Sequence, residues 1–268
     1  MTTVDHYRGA GRRWATGATL VYAPIAAEMV DMSPHPLAGR LVLDAGTGTG
    51  VAAETLLAHG ARVVATDLSL DMLSWDARNR PPCAVADVRA LPLDDGCVDD
   101  AVAAFVLNHL VDPQSGFAEL VRVTRPGGAI LVTVYSVASR SAARDRLDEV
   151  AAEAGWKVPD WYAHVKANAV PLLGNAGAME AAAAAAGLRD IRVEERPVDV
   201  GITEPEQLAA YRFGQANYTD WLDEIGPERA GRLHREAADA IRPVMEPYRP
   251  IVVFLAAVTP PRREPRSR

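Results

Sequence analysis

The chain predicts an α/β fold: a doubly wound, mostly parallel sheet of seven strands, with helices ahead of the first strand and a helical lid inserted between the last two. Three observations carry that expectation. Short apolar runs alternate with stretches of helical spacing between residues 41 and 135, the pattern of a parallel sheet covered on both faces. The first run ends at Gly46, Gly48 and Gly50, a sharp turn where backbone can come close to a ligand. At 268 residues the chain can bury one large core and still carry an appended segment.

Each element has a local reason. Between residues 14 and 32, Leu20, Val21, Ile25, Met29 and Val30 recur at helical spacing, and Pro24 among them predicts two short helices or a kink. Ser33-Pro-His-Pro breaks the chain before the first strand, Leu41–Ala45. Residues 51–59 form a helix stopped by Gly60, and Arg62–Asp67 is the second strand. Ser69 can cap a helix running to about residue 78, which Pro81-Pro82 ends. Residues 83–87 are a third strand and 98–107 a long apolar fourth. Residues 113–124 present Phe117, Leu120 and Val121 on one helical face. Arg125-Pro-Gly-Gly turns the chain into a fifth strand, Ala129–Tyr135. Residues 141–154 and 178–186 are helical, the latter stopped by Gly187, and 189–196 and 251–258 supply the last two strands. The 203–248 stretch between them is too long for an ordinary connection and reads as the lid. The expected organisation is a helical arm at 1–36, a core of 37–202 with 249–260, the lid, and a disordered tail at 261–268.

Bulk properties exclude several partners. A net charge of −7 argues against a nucleic-acid backbone, which is held by clustered Lys and Arg. Cys83 and Cys97 have no metal-ligand spacing, so neither a metal site nor a disulfide scaffold is expected, and a reducing cytoplasm fits. No signal-like segment and no run of about 18 apolar residues appears, so no membrane role is expected.

The glycine turn narrows the ligand. A strand, a turn and a helix start favour anions at free N–H groups. A dinucleotide site has Gly-x-Gly-x-x-Gly and an acid about 20 residues on. Asp67 supplies such an acid, but the glycines fall at alternate positions, and Asp44 stands just ahead of them. Negative charge there suits an ammonium or sulfonium better than a pyrophosphate.

These residues resemble the first motif of class I S-adenosylmethionine-dependent methyltransferases, acid-x-Gly-x-Gly-x-Gly. Ala86-Asp87-Val88, then Leu91-Pro-Leu-Asp-Asp, is similar to the third-strand acid and following run of the small-molecule (methyltransferase type 11, UbiE-like) branch, with Leu93 and Val98 where phenylalanine is usual. Leu120–Gly128 looks like that family's helix and turn before the fifth strand. The likeness covers about half of the chain and implies a Rossmann-like core. It also implies roles. Asp44, Gly46, Thr47, Gly48 and Gly50 would surround the amino-acid tail of S-adenosylmethionine, Asp67 the ribose hydroxyls, and Asp87 with the Val88 N–H the adenine. Leu68 and Met72 would flank the ring, and the Asn108 carbonyl would meet the tail. Read alone, Asp67 can cap a helix, Asp87 can equally be structural, and Leu68 and Met72 can be core.

Methyl transfer is an in-line displacement at an activated carbon, and a base is needed only when the acceptor holds its proton. His109, at the rim after the fourth strand, and His6, in the arm beside Tyr7, are the candidates; His109 can equally be structural, and His164 is a third choice. Aromatic residues gather outside the matched half, where they can enclose an acceptor or form the lid's own core. The expected reaction is methylation of an O, N or C nucleophile on a small, specialised metabolite, with a homodimer left open. A non-methylating reaction in the same pocket is the alternative. A nicotinamide oxidoreductase is disfavoured by the glycine spacing and by the lack of a Tyr-x-x-x-Lys pair.

Overall fold

A computed structural model describes residues 6–261. Seven strands form one sheet: β1 Leu41–Ala45, β2 Arg62–Asp67, β3 Cys83–Val85, β4 Asp100–Ala104, β5 Ala129–Tyr135, β6 Arg189–Pro197 and β7 Ile251–Val258. Their spatial order is β3-β2-β1-β4-β5-β7-β6. Strands β1 to β5 pair in parallel, and β7 runs antiparallel between β5 and β6.

Side chains of a strand alternate between faces, so the sheet divides two cores. Val42, Leu131 and Phe254 join the core shared with Thr19–Asp31 and the 203–248 helices. Leu43, Ile130 and Val132 join the opposite core with Phe117, Leu120 and Met179. The segment between β6 and β7 forms helices Pro205–Phe213, Ala216–Ile225 and Pro227–Ile241.

Several expectations are adjusted. Pro24 does not split its helix: Thr19–Asp31 is continuous, and the irregularity lies one turn earlier, in a π-helical stretch at Trp14–Ala18. There Gly17 crosses Pro205–Phe213 so closely that a Cβ would stand 2.4 Å from the Ala210 carbonyl oxygen. The helix after Ser69 stops at Ser74, because Trp75 is extended and Asp76 has a φ of 46°. Strand β4 is half the expected length. Phe105 takes a left-handed φ of 57° and ends it, and Leu107–His109 is a 3₁₀ turn. Strand β3 stops before Asp87, which forms a bridge with Ala90 instead. Helix Asp160–Asn168 had no counterpart in the sequence reading: it buries none of its residues, so it shows no apolar period. All but Pro261 of the expected tail lies outside the described residues.

Candidate active site

Sheet order runs outward in both directions from β1 and β4, and the crevice beyond their carboxyl ends is where open α/β sheets bind ligands. The glycine turn is anchored there. Gly46 and Thr47 donate their N–H groups to the Thr66 carbonyl at 2.8 and 2.9 Å, which ties the turn to β2. Gly46 has a φ of +73°, and a Cβ on it would lie 2.5 Å from Val106. Both facts demand glycine.

Three carboxylates line this crevice, at the ends of β1 and β2 and just past β3, in different states. Asp67 accepts from the Gly48 N–H through Oδ2 and from the Ser69 N–H through Oδ1, each at 2.8 Å. It therefore braces the turn against the next helix, and each oxygen keeps lone-pair capacity. Burial raises its carboxyl above the ordinary range, partly offset by those N–H groups and by Arg80. Asp44 is 0% exposed. Its Oδ2 accepts from the Thr47 hydroxyl at 2.6 Å, while Oδ1 has no partner among the described residues. Burial pushes its carboxyl up to about 6. Asp87 is gripped by Arg89 through contacts of 2.5–3.1 Å, and this holds its carboxyl below the usual range.

Arg80 had no signal in the sequence, since it sits just ahead of Pro81-Pro82 in a segment without periodicity. It donates to the Met72 carbonyl at 2.8 Å and reaches Thr47 Oγ1 at 3.4 Å. Its guanidinium lies 3.6–3.7 Å from where a Gly50 Cβ would be, and its charge lowers both Asp44 and Asp67.

One cavity of about 240 Å³ joins these groups to the rest of the molecule. Asp44, Gly46, Thr47, Gly48, Asp67, Leu68, Met72, Asp87, Val88, Asn108 and His109 line it. Gly50 does not; it is the left-handed N-cap of Val51–Ala58. Met72 is also core, at 3% exposure. S-adenosylmethionine would bring an ammonium, a sulfonium and two ribose hydroxyls. The unpartnered buried acceptors Asp44 Oδ1 and Asn108 Oδ1, with the lone pairs left on Asp67, suit that donor-rich group.

The rest of the lining is largely aromatic: Tyr7, Trp14, Tyr22, Phe105, Tyr135, Trp161 and Tyr162, with Tyr7 near enough to Asp67 to feel its charge. His6 stacks on Trp161 with centroids 4.5 Å apart, and it is Tyr7, not His6, that forms part of the wall. Tyr7 OH is hydrogen-bonded to His109 Nε2 at 3.2 Å. His109 is half-buried in the cavity wall, and burial depresses its imidazole to about 4. Its Nδ1 is directed to the Phe105 carbonyl but falls short of full hydrogen-bond geometry. His164 is exposed and pairs with Asn168 on its own helix.

Aromatics of the 203–248 segment follow the second expectation, a core of the lid's own, and do not enclose the acceptor. Tyr211, Phe213 and Tyr218 are buried, and Trp156 stacks on Tyr218 at 4.3 Å. They are that segment's own core, and from it only Gln215, Ala216 and Asn217 reach the cavity.

Comparison with known proteins agrees with this geometry. Residues 43–132 match the family model described as a methyltransferase domain. A demethylmenaquinone methyltransferase of Mycolicibacterium gilvum is 42% identical over 95 residues, covering 35% of this chain and 42% of that protein. The chain thus matches less than half the length of such relatives. Among solved structures, a phosphoethanolamine N-methyltransferase 2 of Haemonchus contortus, in complex with phosphomonomethylethanolamine and S-adenosylhomocysteine, superposes with a TM-score of 0.56 at 20% identity, covering 88% of this chain and 52% of that one. The putative methyltransferase in a complex with the Haloferax volcanii Trm112 activator gives 0.60 at 17% identity over 98% of this chain and 100% of that one. At such identities the likeness speaks for the fold. Residues 43–132 carry the methyltransferase domain of the class I, small-molecule S-adenosylmethionine-dependent family, and S-adenosylmethionine is the cofactor that goes with it.

Proposed function

We propose that the protein methylates an oxygen, nitrogen or carbon nucleophile of a small organic molecule, with the core at 37–202 and 249–260 holding the donor and the arm and lid closing over the acceptor. The observation that carries this reading is the placement of the Tyr7–His109 pair on the same cavity as Asp44 and Asp67. When bound, S-adenosylmethionine supplies an electrophilic methyl carbon. Asp44 Oδ1 and the Asn108 side chain take its tail, Asp67 the ribose, and Asp87 the adenine once Arg89 yields.

His109 keeps its proton affinity low by burial, so its ring is neutral at physiological pH. With the Tyr7 hydroxyl at Nε2, we place the ring proton on Nδ1, which leaves the Nε2 lone pair to accept from that hydroxyl. Tyr7 can then take a proton from an acceptor as it gives its own to His109. The aromatic wall excludes water from that exchange.

The relatives' acceptor, demethylmenaquinone, does not transfer with the domain. The family match ends at residue 132, ahead of Tyr135, Trp161, Tyr162 and Asn217. The test is incubation of the protein with methyl-tritiated S-adenosylmethionine and a protein-free small-molecule extract. Label should enter a small-molecule product, and replacing Tyr7 by Phe should abolish most of it. Consumption of an extract component without incorporated label would instead support a non-methylating reaction.

A further inference from the structure

The charged groups of the cavity are unevenly shared. Asp44, Asp67 and Asp87 all belong to the donor end. The lining has two basic side chains, Arg89 and Lys166. Arg89 is consumed by Asp87. Lys166, on Asp160–Asn168, has no acid partner among the described residues, although it is four residues from the wall aromatic Tyr162. Behind Tyr162 stands Arg212, 3% exposed and paired with Asp148 at 2.6 Å. From the lid side, Asn217 enters the same cavity. It is 5% exposed, and its Nδ2 has no hydrogen-bond partner among the described residues. Its position is set by Trp156, whose Nε1 donates to the Asn217 carbonyl at 3.1 Å.

The cavity therefore has, beside its aromatic walls, an exposed and uncommitted cation in Lys166 and a buried, unused amide donor in Asn217. We propose that the acceptor is a planar, ring-bearing acid whose carboxylate or ionised ring hydroxyl is held by Lys166 and the Asn217 amide. The inference rests on the methyl-transfer reading and deepens it by naming the substrate class.

Two further observations agree. A cationic acceptor would meet Lys166 directly and gain no acid from its helix side, because the three lining carboxylates follow the sheet, at the ends of β1 and β2 and just past β3. The Tyr162 hydroxyl reports the same field. Burial raises it, but Arg212, Lys166 and Arg144 more than offset that, and it titrates below an ordinary phenol. An anionic substituent resting there is met by a positive potential already present in the folded chain, from exposed Lys166 and from buried Arg212 behind Tyr162. Walls of Tyr22, Phe105, Tyr135 and Trp161 favour a flat apolar body over an aliphatic one.

Calorimetric titration of the S-adenosylhomocysteine-saturated protein tests it with three isosteric probes: 2-naphthoate, 2-naphthamide and 2-naphthylmethylammonium. The wild type should bind the naphthoate at least about tenfold more tightly than the amide, the size expected of a charge-assisted contact, and the ammonium least. Lys166→Met should erase the naphthoate preference, and Lys166→Glu should reverse it toward the ammonium. Equal or better binding of the amide or ammonium by the wild type overturns the proposal, as does a preference that survives in both variants or no binding of naphthoate at all. Failure of the protein to bind S-adenosylhomocysteine in the preliminary titration would strike the methyl-transfer reading itself, a separate result.

Discussion

The donor end of the cavity is made at strand ends, whereas the acceptor end adds to Phe105 and Tyr135, at the β4 and β5 ends, side chains from helices and an N-terminal turn. Asp44 and Asp67 terminate β1 and β2 or sit one residue from their ends, and parallel pairing such as Asp44 with Ala65 fixes their positions. Backbone N–H groups then bind the Asp67 carboxylate directly. Tyr7, Trp161, Tyr162, Lys166 and Asn217 come from an N-terminal turn, a helix without buried residues and a lid. Side chains held by sheet hydrogen bonds have one arrangement. Those on helices outside the sheet are placed by a few contacts, as the Asn217 backbone is by Trp156. One end is thus suited to a constant cofactor, and the other to an acceptor that differs between relatives.

The contrast makes the donor end brittle, and Gly46→Ala should show the largest effect. A left-handed φ costs an L-residue about 1–2 kcal/mol, and a Cβ 2.5 Å from Val106 adds overpacking of about 1–3 kcal/mol. Affinity for S-adenosylmethionine, measured by calorimetry, should fall by roughly two orders of magnitude or more. An affinity close to wild type would show that the turn can relax and would break the comparison.

Next comes Tyr7→Phe, at the acceptor end. It removes the hydroxyl bonded to His109 but no cofactor contact. Turnover should drop by about 10²-fold, in the range of general acid–base groups, while cofactor affinity stays within about threefold. Parallel loss of both would mean that the arm serves the donor end.

The two ends should also separate with pH. Asp44 titrates near 6 and must be ionised to attract a cationic ligand, so cofactor affinity should fall about tenfold from pH 7.5 to 5. In Asp44→Asn it should be weaker and nearly flat. His109 titrates near 4, so turnover at saturating cofactor should not follow the limb at 6. Stability carries the opposite signs. The folded apo-protein holds the Asp44 proton more tightly than the unfolded chain does. That contribution is therefore full below about pH 4 and lost as pH rises through about 6. The depressed His109 contributes above about pH 6.5 and loses its contribution as pH falls toward 4.

Smallest of all should be Arg89→Ala. The Asp87–Arg89 pair is partly exposed, and such pairs contribute about 0–1 kcal/mol. Freeing Asp87 should raise cofactor affinity by no more than about threefold. A marked loss would mean that Arg89 itself holds the ligand.

Legibility in the sequence follows the same division. Strand ends, alternate glycines and Asp67 are local features, and each keeps its meaning within a few residues. Asp67 accepts from the Ser69 N–H at the start of the next helix, as its helix-cap reading expects, and it also lines the cavity. The missed groups depend on contacts between distant segments. Arg80 matters because the chain returns it to Gly50, and Tyr7 because it meets His109, 102 residues away. Helix Asp160–Asn168 buries nothing and so writes no period. The lid aromatics were visible, but whether they faced a ligand or each other depended on Trp156 stacking on Tyr218 from outside the lid.

Calorimetric titration of the purified protein with S-adenosylmethionine, beside Asp67→Ala, tests the central claim that the β1 and β2 ends form the donor site. Binding of one equivalent by the wild type, weakened at least about tenfold in the variant, is the predicted result. No binding by the wild type, or equal binding by Asp67→Ala, would contradict it.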